Sequence, residues 1–166
     1  MWHLRAKFCP LCGATLGTRV FEGRERPACT GCSFILFRNP ACAAAGVVLD
    51  DQGRVLLIQR GIEPYRGSWA LPAGYQEVDE SPAQTACREV FEETGLEVVV
   101  TELLDVLYFP DDPRKPATSV VYRCRVTGGT LQAGDDARKA EWFSLDELPE
   151  DLAFDNRERI LDKLPR

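Results

Sequence analysis

The sequence contains one histidine, His3, among 166 residues, and that scarcity narrows the chemistry at once. A serine–histidine or cysteine–histidine relay needs an imidazole beside its nucleophile. With His3 near the terminus and no nucleophile-elbow motif, serine-type and cysteine-type hydrolysis have no support. Long apolar runs are missing too. The longest, Ala41 to Leu49, covers nine residues, far short of the roughly 20 that cross a bilayer, so no membrane association is expected. The N-terminal MWHLRAKF lacks the basic start and apolar stretch of a secretory signal, and the expected location is cytoplasmic. A net charge of -6 speaks against a general nucleic-acid binder. The seven cysteines are an odd number that no complete disulfide set can use, and a reducing compartment favours free or metal-bound thiols.

What is present is the composition of a globular protein, 45% hydrophobic and 28% charged, with length enough for one ordinary domain and a small appendage. The charge is unevenly spread. Residues 1–40 hold six basic side chains against two acidic ones, whereas residues 74–96 hold six acids (Glu77, Asp79, Glu80, Glu89, Glu92, Glu93) against Arg88 alone. Composition changes at Asn39-Pro40, where the residue before proline is pushed out of helical geometry. The expected organisation is therefore a small unit over residues 1–39 and a larger one over 40–166.

The small unit carries Cys9-Pro-Leu-Cys12 and Cys29-Thr-Gly-Cys32, two C-x2-C pairs with 16 residues between them. Zinc takes four ligands in a tetrahedron, and this spacing lets two tight knuckles supply them. Gly13 and Gly31 offer the backbone freedom such knuckles use. Four thiolates leave no open coordination position, so Cys9, Cys12, Cys29 and Cys32 are expected to hold a structural Zn2+ that staples a segment too small for its own core. Arg5, Lys7, Arg19, Arg24, Arg26 and Arg38 could aid a nucleic-acid or protein contact, but a zinc-tetrathiolate centre contributes about -2 against them.

In the larger unit, Ala43–Leu49 and Val55–Gln59 read as strands joined by the turn Asp50-Asp51-Gln52-Gly53. Ser81 caps a helix with Pro82 at its first position and Gly95 past its end. Strands are also expected over 96–100, 103–108, 119–126 and 140–143, a proline-bearing loop at 110–116, and a C-terminal helix over 154–164. Strands and helices without strict alternation give an α+β, mixed α/β architecture. On the helix from Pro82 to Thr94, Glu89, Glu92 and Glu93 share an arc of about 100°, while Ala83, Ala86 and Val90 form an apolar side, so the carboxylates are expected to face outward. Like charges at this spacing repel by roughly 0.2–0.5 kcal/mol per pair. Arg88 can pair with Glu92, four residues on, but one cation does not balance three anions. A divalent ion would, and an all-oxygen site suits Mg2+ or Mn2+.

The stretch Gly74-x5-Glu80-x7-Arg88-Glu89-Val90-x-Glu92-Glu93-x-Gly95-Leu96 resembles the Nudix box at every fixed position, and Gly67-Ser-Trp69-Ala-Leu71-Pro72-Ala-Gly74 is similar to the usual approach to it. The resemblance spans about residues 41–150. It implies an α/β/α sandwich around a mixed sheet, and hydrolysis of a nucleoside diphosphate linked to another group with Mg2+ or Mn2+. By motif position it implies Glu89, Glu92, Glu93 and the Gly74 carbonyl as metal ligands, Arg88 as the residue holding the glutamates, and Glu80 as an accessory member. The general base would be Glu89, or an acid of a distal loop such as Glu141 or one near Asp135-Asp136.

A zinc ribbon before a Nudix domain resembles the group that includes NADH pyrophosphatases and ADP-ribose or FAD pyrophosphatases. Residues 37–40 (Phe-Arg-Asn-Pro) and the run from Arg60 to Tyr75 look most like the ADP-ribose/FAD members. The segment Leu107 to Pro113 lacks the S-Q-P-W-P-F-P signature of NADH pyrophosphatases, and no tyrosine stands 16–18 residues past the box as in dinucleoside polyphosphate hydrolases. The implied partner is a small nucleotide, and a homodimer would be ordinary for the family. Flat ligand groups need apolar surface with a few polar contacts, for which Trp69, Tyr75, Tyr108 and Phe109 are candidates, while Arg60 and Arg66 could meet phosphates. The alternatives are NADH as substrate, or an idle Nudix fold whose ribbon recruits a nucleic acid or protein.

Overall fold

The computed structural model describes residues 5–112 and 114–164; His3 lies outside the described residues, as does Pro113. The backbone divides into two compact units at the junction of Pro40 and Ala41. In the first, Glu22 and Gly23 both take positive φ (51° and 74°), which matches the twist a tight hairpin turn requires. They join β1 (Leu16–Phe21) to β2 (Arg24–Cys29), paired antiparallel from Leu16↔Cys29 to Phe21↔Arg24. The buried apolar residues here are Cys9, Ala28, Cys29 and Leu36, too few for a core. The thiols must do the holding.

The second unit is built on two strands that are buried on both faces. Consecutive residues of a strand point to opposite sides, yet Val47 and Val48 of β3 (Ala41–Val48) and Leu56 and Leu57 of β4 (Val55–Arg60) are all fully buried. Val47 and Leu57 belong to one core with Leu107, Val121, Ile160 and Leu161, and Val48 and Leu56 to another with Val90, Leu96 and Val98. Each face therefore has its own cover, and each such side chain contributes about 1.5–3 kcal/mol relative to exposure. β3 lies in a mixed four-stranded sheet ordered β6-β3-β8-β7, with β6 (Ala73–Tyr75) antiparallel and β8 (Ala117–Gly129) parallel to it. β4 lies in an antiparallel sheet ordered β5-β4-β9, between β5 (Trp69–Ala70) and β9 (Ala137–Phe143). The Asp50 turn thus leads from one sheet to the other, with the isolated Leu49–Val55 bridge pairing the chain across its base. The Asp50 carboxylate fastens it by accepting from the Gln52 and Arg54 amides.

The helix α1 (Pro82–Thr94) starts and stops where the sequence places it. Ser81 accepts from the Gln84 amide, Gln84 returns a bond to the Ser81 amide, and Gly95 ends the helix in a left-handed conformation at φ 70°. Elsewhere the structure departs from expectation. The two strands expected over 96–100 and 103–108 are one, β7 (Leu96–Phe109), whose breaks in pattern are register shifts against β8 rather than a loop. The expected C-terminal helix over 154–164 is broken into a 3-10 turn (Ala153–Asp155), one α turn (Asn156–Arg159) and a second 3-10 turn (Leu161–Lys163). Phe154 and Asp155 sit at φ 59° and 53°, a left-handed pair that no L-residue helix accommodates. The sandwich layer opposite α1 is thus made of short turns, anchored by Ile160, Leu161 and Leu164 in the core. Among the described residues no helix is long and apolar enough to cross a membrane.

Helix and sheet meet closely at Gly46 of β3, where an added Cβ would stand 2.5 Å from Val90 Cγ2. Gly46→Ala is expected to cost about 1–3 kcal/mol by forcing α1 off the sheet, read as a lower midpoint of chemical denaturation; an unchanged midpoint would show that this contact is soft.

Candidate functional site

In the first unit, the knuckles gather four free thiols. The Sγ atoms of Cys9, Cys12, Cys29 and Cys32 all lie within 4.8 Å of one another, with Cys9–Cys32 at 3.7 Å and Cys12–Cys29 at 3.4 Å. Tetrahedral Zn–S bonds of about 2.3 Å put sulfurs about 3.8 Å apart, so the cluster has dimensions compatible with zinc. The first Cys of each pair accepts an amide from two residues on, Leu11 at 3.4 Å and Gly31 at 3.3 Å, which orients a thiolate inward. Gly13 takes φ 74°, whereas Gly31 is required for space, since a Cβ there would come within 3.0 Å of Ala14 Cβ.

In the second unit the acids of α1 converge on Arg88. Its Nη1 donates to Glu89 (2.7 Å) and Glu92 (2.8 Å), its Nη2 and Nε to the two oxygens of Glu80 (2.7 and 3.1 Å), and its Nη2 also to the Tyr75 carbonyl (3.0 Å). A planar fork of five donors is the side chain that can do this. Hydrogen bonds from Arg88 hold the Glu80 carboxyl down at about 2. The expected outward display of the carboxylates is corrected in part. Glu92 is exposed, but Glu89 and Glu93 are 9% and 4% exposed, because β6 lies over their side of the helix. Glu93 Oε2 accepts the Ala73 amide at 3.1 Å, and the Glu89 carboxylate rests against Gly74, where any Cβ would collide with it. Burial, then repulsion from Glu89, pushes the Glu93 carboxyl up to about 8, and burial also raises Glu89. Asp135 adds to the negative field at Glu89 and Asp136 to that at Glu93. Their loop is docked through the Gly134 amide to the Glu93 carbonyl (3.2 Å) and through the Gly61 amide to the Asp136 carbonyl (2.6 Å).

From Gly74 a cleft opens along the sheet, with Ala43, Ala45, Leu107 and Val121 in its floor and Arg60, Tyr75, Phe109, Arg114 and Phe154 among its walls. The Arg114 guanidinium lies 4.9 Å from the Tyr75 ring centre and 5.9 Å from that of Phe154; Arg60 lies 5.1 Å from Phe154. Buried Asp112 fixes Arg114 with three contacts: Oδ1 accepts from the backbone amide (2.8 Å) and from Nε (3.2 Å), and Oδ2 from Nη2 (3.1 Å). Burial and the nearby Arg114 charge lower the Arg60 pKa, partly offset by Glu93 and Asp136.

The candidates from sequence divide accordingly. Arg60, Tyr75, Phe109 and Gly74 line the cleft; Arg88, Glu89, Glu92 and Glu93 gather at its end. Four others stand apart. Tyr108 is 51% exposed, because on β7 it alternates with Leu107 and Phe109, which face the cleft. Trp69 packs edge-on against Phe143, ring centres 4.7 Å apart, within the core. Arg66 is exposed in the loop before β5. Glu141 is exposed on β9 with Lys139 Nζ 3.5 Å away, since Ala140 and Trp142 on either side of it turn to the core; Asp135 and Asp136 are the distal acids whose charge reaches the helix. Arg114, Phe154 and Asn156 line the cleft without a motif to announce them. The left-handed pair that turns Phe154 inward is not written in residue type.

The NUDIX domain model matches residues 40–164. An ADP-ribose pyrophosphatase of Methanocaldococcus jannaschii is 44% identical over 128 residues, covering 76% of this chain and 75% of that one. A NUDIX hydrolase from Nitrosomonas europaea of known crystal structure superposes with a TM-score of 0.82 at 31% identity, covering 94% and 90% of the two chains. An NAD-capped RNA hydrolase of Pseudomonas aeruginosa is 29% identical over 151 residues, 90% of this chain and 51% of its own.

The buried Glu93 gives a signed pH dependence. Its carboxyl moves from the ordinary 4.5 to about 8 on folding. Between those values the unfolded chain has lost a proton that the folded chain keeps, so this group destabilises the metal-free protein progressively as pH rises from about 4.5 to about 8. The Tm in magnesium-free buffer is expected to fall over that window, and less so in Glu93→Gln; equal slopes would remove Glu93 as the source.

Proposed function

The chain belongs to the Nudix family, and from that premise we propose that it hydrolyses the pyrophosphate bond of a nucleoside diphosphate derivative, ADP-ribose or FAD, with release of AMP. The observation that carries this reading is the pair of buried carboxylates, Glu89 against Gly74 and Glu93 on the Ala73 amide, beside a cleft that those two residues of β6 line and that has an apolar floor and cationic walls. Buried anions side by side are costly unless a cation joins them, and three carboxylates with a carbonyl are a hard-oxygen donor set suited to Mg2+ or Mn2+. The absence of a side chain at Gly74 leaves room for the Glu89 carboxylate against the backbone of that residue. When bound, the metal neutralises charge on the phosphoryl oxygens and acidifies or orients water.

The residues then have distinct tasks. Glu89, Glu92 and Glu93 hold the metal and, through it, the anionic substrate that the helix alone would repel. Arg88 links three of the acids into one rigid body and keeps Glu80 ionised as its anchor. Arg60 and Arg114 meet the phosphate that is not attacked, and Tyr75 and Phe109 line the nucleoside side of the cleft. Asp135 or Asp136 receives the proton of the attacking water in place of Glu141. Water adds to one phosphorus as the bridging oxygen leaves, giving AMP and the second phosphate-bearing fragment. In the first unit, Cys9, Cys12, Cys29 and Cys32 hold a structural Zn2+.

With ADP-ribose and FAD in Mg2+ or Mn2+ buffer, chromatography is expected to show AMP as a product, and Glu92→Gln to lower kcat by 10²-fold or more, on the order of the loss of one transition-state charge contact. Full activity in that variant would sink the metal-ligand reading, and release of AMP from neither nucleotide with either metal would sink the proposed reaction. Elemental analysis is expected to give one zinc per chain, lost in Cys29→Ser; an unchanged zinc content there would place the ion elsewhere.

A further inference from the structure

The hairpin of the first unit presents two different faces. Residues directly opposite in an antiparallel pair point to the same side, as do residues two apart along a strand. The register Arg19↔Arg26 and Phe21↔Arg24 therefore puts three arginines and a phenylalanine on one face, whose remaining places are Gly17 and Ala28. Glu25, opposite Val20, and Cys29, opposite Leu16, belong to the other. The Ala28↔Ile35 bridge, with the Leu36 amide on the Pro27 carbonyl (2.8 Å), lays a third piece of chain beside β2. Carried two residues on, that pairing sets Phe37 opposite Arg26. The side chains agree: the Arg26 guanidinium lies 4.6 Å from the Phe37 ring centre, and Phe21 meets Phe37 edge-on at 6.1 Å. Arg19 and Arg24 are exposed and, like Arg26, form no ion pair or side-chain hydrogen bond with any described residue.

Like charges directly opposite each other on a sheet destabilise it, and Arg26 Nε is buried without a hydrogen-bond partner. We infer that this face is a docking surface for single-stranded nucleic acid, whose phosphates meet Arg19, Arg24 and Arg26 and one of whose bases stacks on the exposed Phe37 ring. A single strand supplies what both kinds of side chain take, an anionic backbone and unstacked flat rings. In a duplex the bases are already stacked and closed to a protein ring, and an acidic protein segment supplies the charge but leaves the ring unused. The face carries cations and rings and no neutral hydrogen-bonding side chain, so it has nothing with which to read a base edge or a 2′-hydroxyl. Binding is therefore indifferent to sequence and to sugar. The overall charge of -6 does not oppose it, since residues 1–40 hold six basic side chains against two acidic ones, and the Cys29 thiol points to the opposite face. The inference is independent of the hydrolytic reading of the second unit.

The test is fluorescence anisotropy of a labelled oligouridylate of about 12 nucleotides, the reach of an ordinary single-strand site, titrated with the full chain in buffer free of magnesium and of chelators. Affinity is expected to fall with salt at a log–log slope of about -2, from three phosphate contacts at about -0.7 each. Arg24→Gln is expected to reduce that slope by about 0.7, whereas Phe37→Leu keeps the slope and weakens binding about tenfold. Oligothymidylate of the same length is expected to compete as well as the RNA, and a duplex or poly-glutamate about tenfold less well. Zinc content and denaturation midpoint report whether each variant is folded; should Phe37→Leu lose its zinc, the slopes of Arg24→Gln and of Arg19→Gln, both at exposed positions, decide. Poly-glutamate binding as tightly as the oligonucleotide would mark a surface for an acidic protein and overturn the inference. Absence of binding at low salt, an affinity that none of the variants changes, or a strict preference for one sugar would overturn it as well.

Discussion

The second unit depends on an electrostatic constraint at one end of α1. Three glutamates within one and a half turns would repel, and two of them are buried; Arg88 offsets this by reaching Glu80, Glu89, Glu92 and the Tyr75 carbonyl at once, while Glu93 rests on the Ala73 amide. A lysine, with a single compact charge, does not span that set. The guanidinium does more than neutralise. By bonding to residue 75 as well as to the helix, it ties α1 to the end of β6, and so fixes where Gly74 meets Glu89. Charge, chain path and the missing side chain of residue 74 are one device.

Around that device the two cores have different duties. The one beneath α1 gives the helix a firm seat, with Val90 against Gly46 and Leu96 and Val98 continuing into β7. The one on the opposite face shares its residues with the cleft: Ala45, Leu71, Leu107, Val121 and Ile160 are core members and cleft lining alike. The floor on which a ligand would lie is therefore the outer surface of the packing that stabilises the fold. Substitutions there couple stability to binding, whereas those at Tyr75, Arg114 or Phe154 act mainly on the walls.

Much of this was legible from residue order. The caps of α1, Ser81 and Gly95, fix its ends through local chemistry, and the glutamate spacing reports which side chains share a face. The cysteine spacing gives the thiol cluster for the same local reason. What sequence did not show is decided by partners distant in the chain. The burial of Glu89 and Glu93 depends on β6 crossing above them, and the apolar side of α1 gives no sign of it. The register shifts that bend β7 without ending it arise from pairing with β8. The broken C-terminal segment follows a helical pattern of apolar residues, Ile160, Leu161 and Leu164, that tertiary contacts satisfy through tight turns instead. That Trp69 packs in the core and Tyr108 lies outside the cleft was not legible, because an aromatic residue near a motif looks the same in sequence whether its strand turns it inward or outward.

The left-handed pair at Phe154 and Asp155 makes the last strip of chain a succession of small turns, each attached by one or two apolar anchors. A continuous helix would transmit any change of register along its whole length. A string of turns does not: one can be remodelled while Ile160 and Leu164 stay seated. The carboxylates of the proposed metal site lie on α1, about sixty residues earlier and on another layer. The wall that Phe154 and Asn156 give the cleft is therefore free to change shape without disturbing the seat of α1.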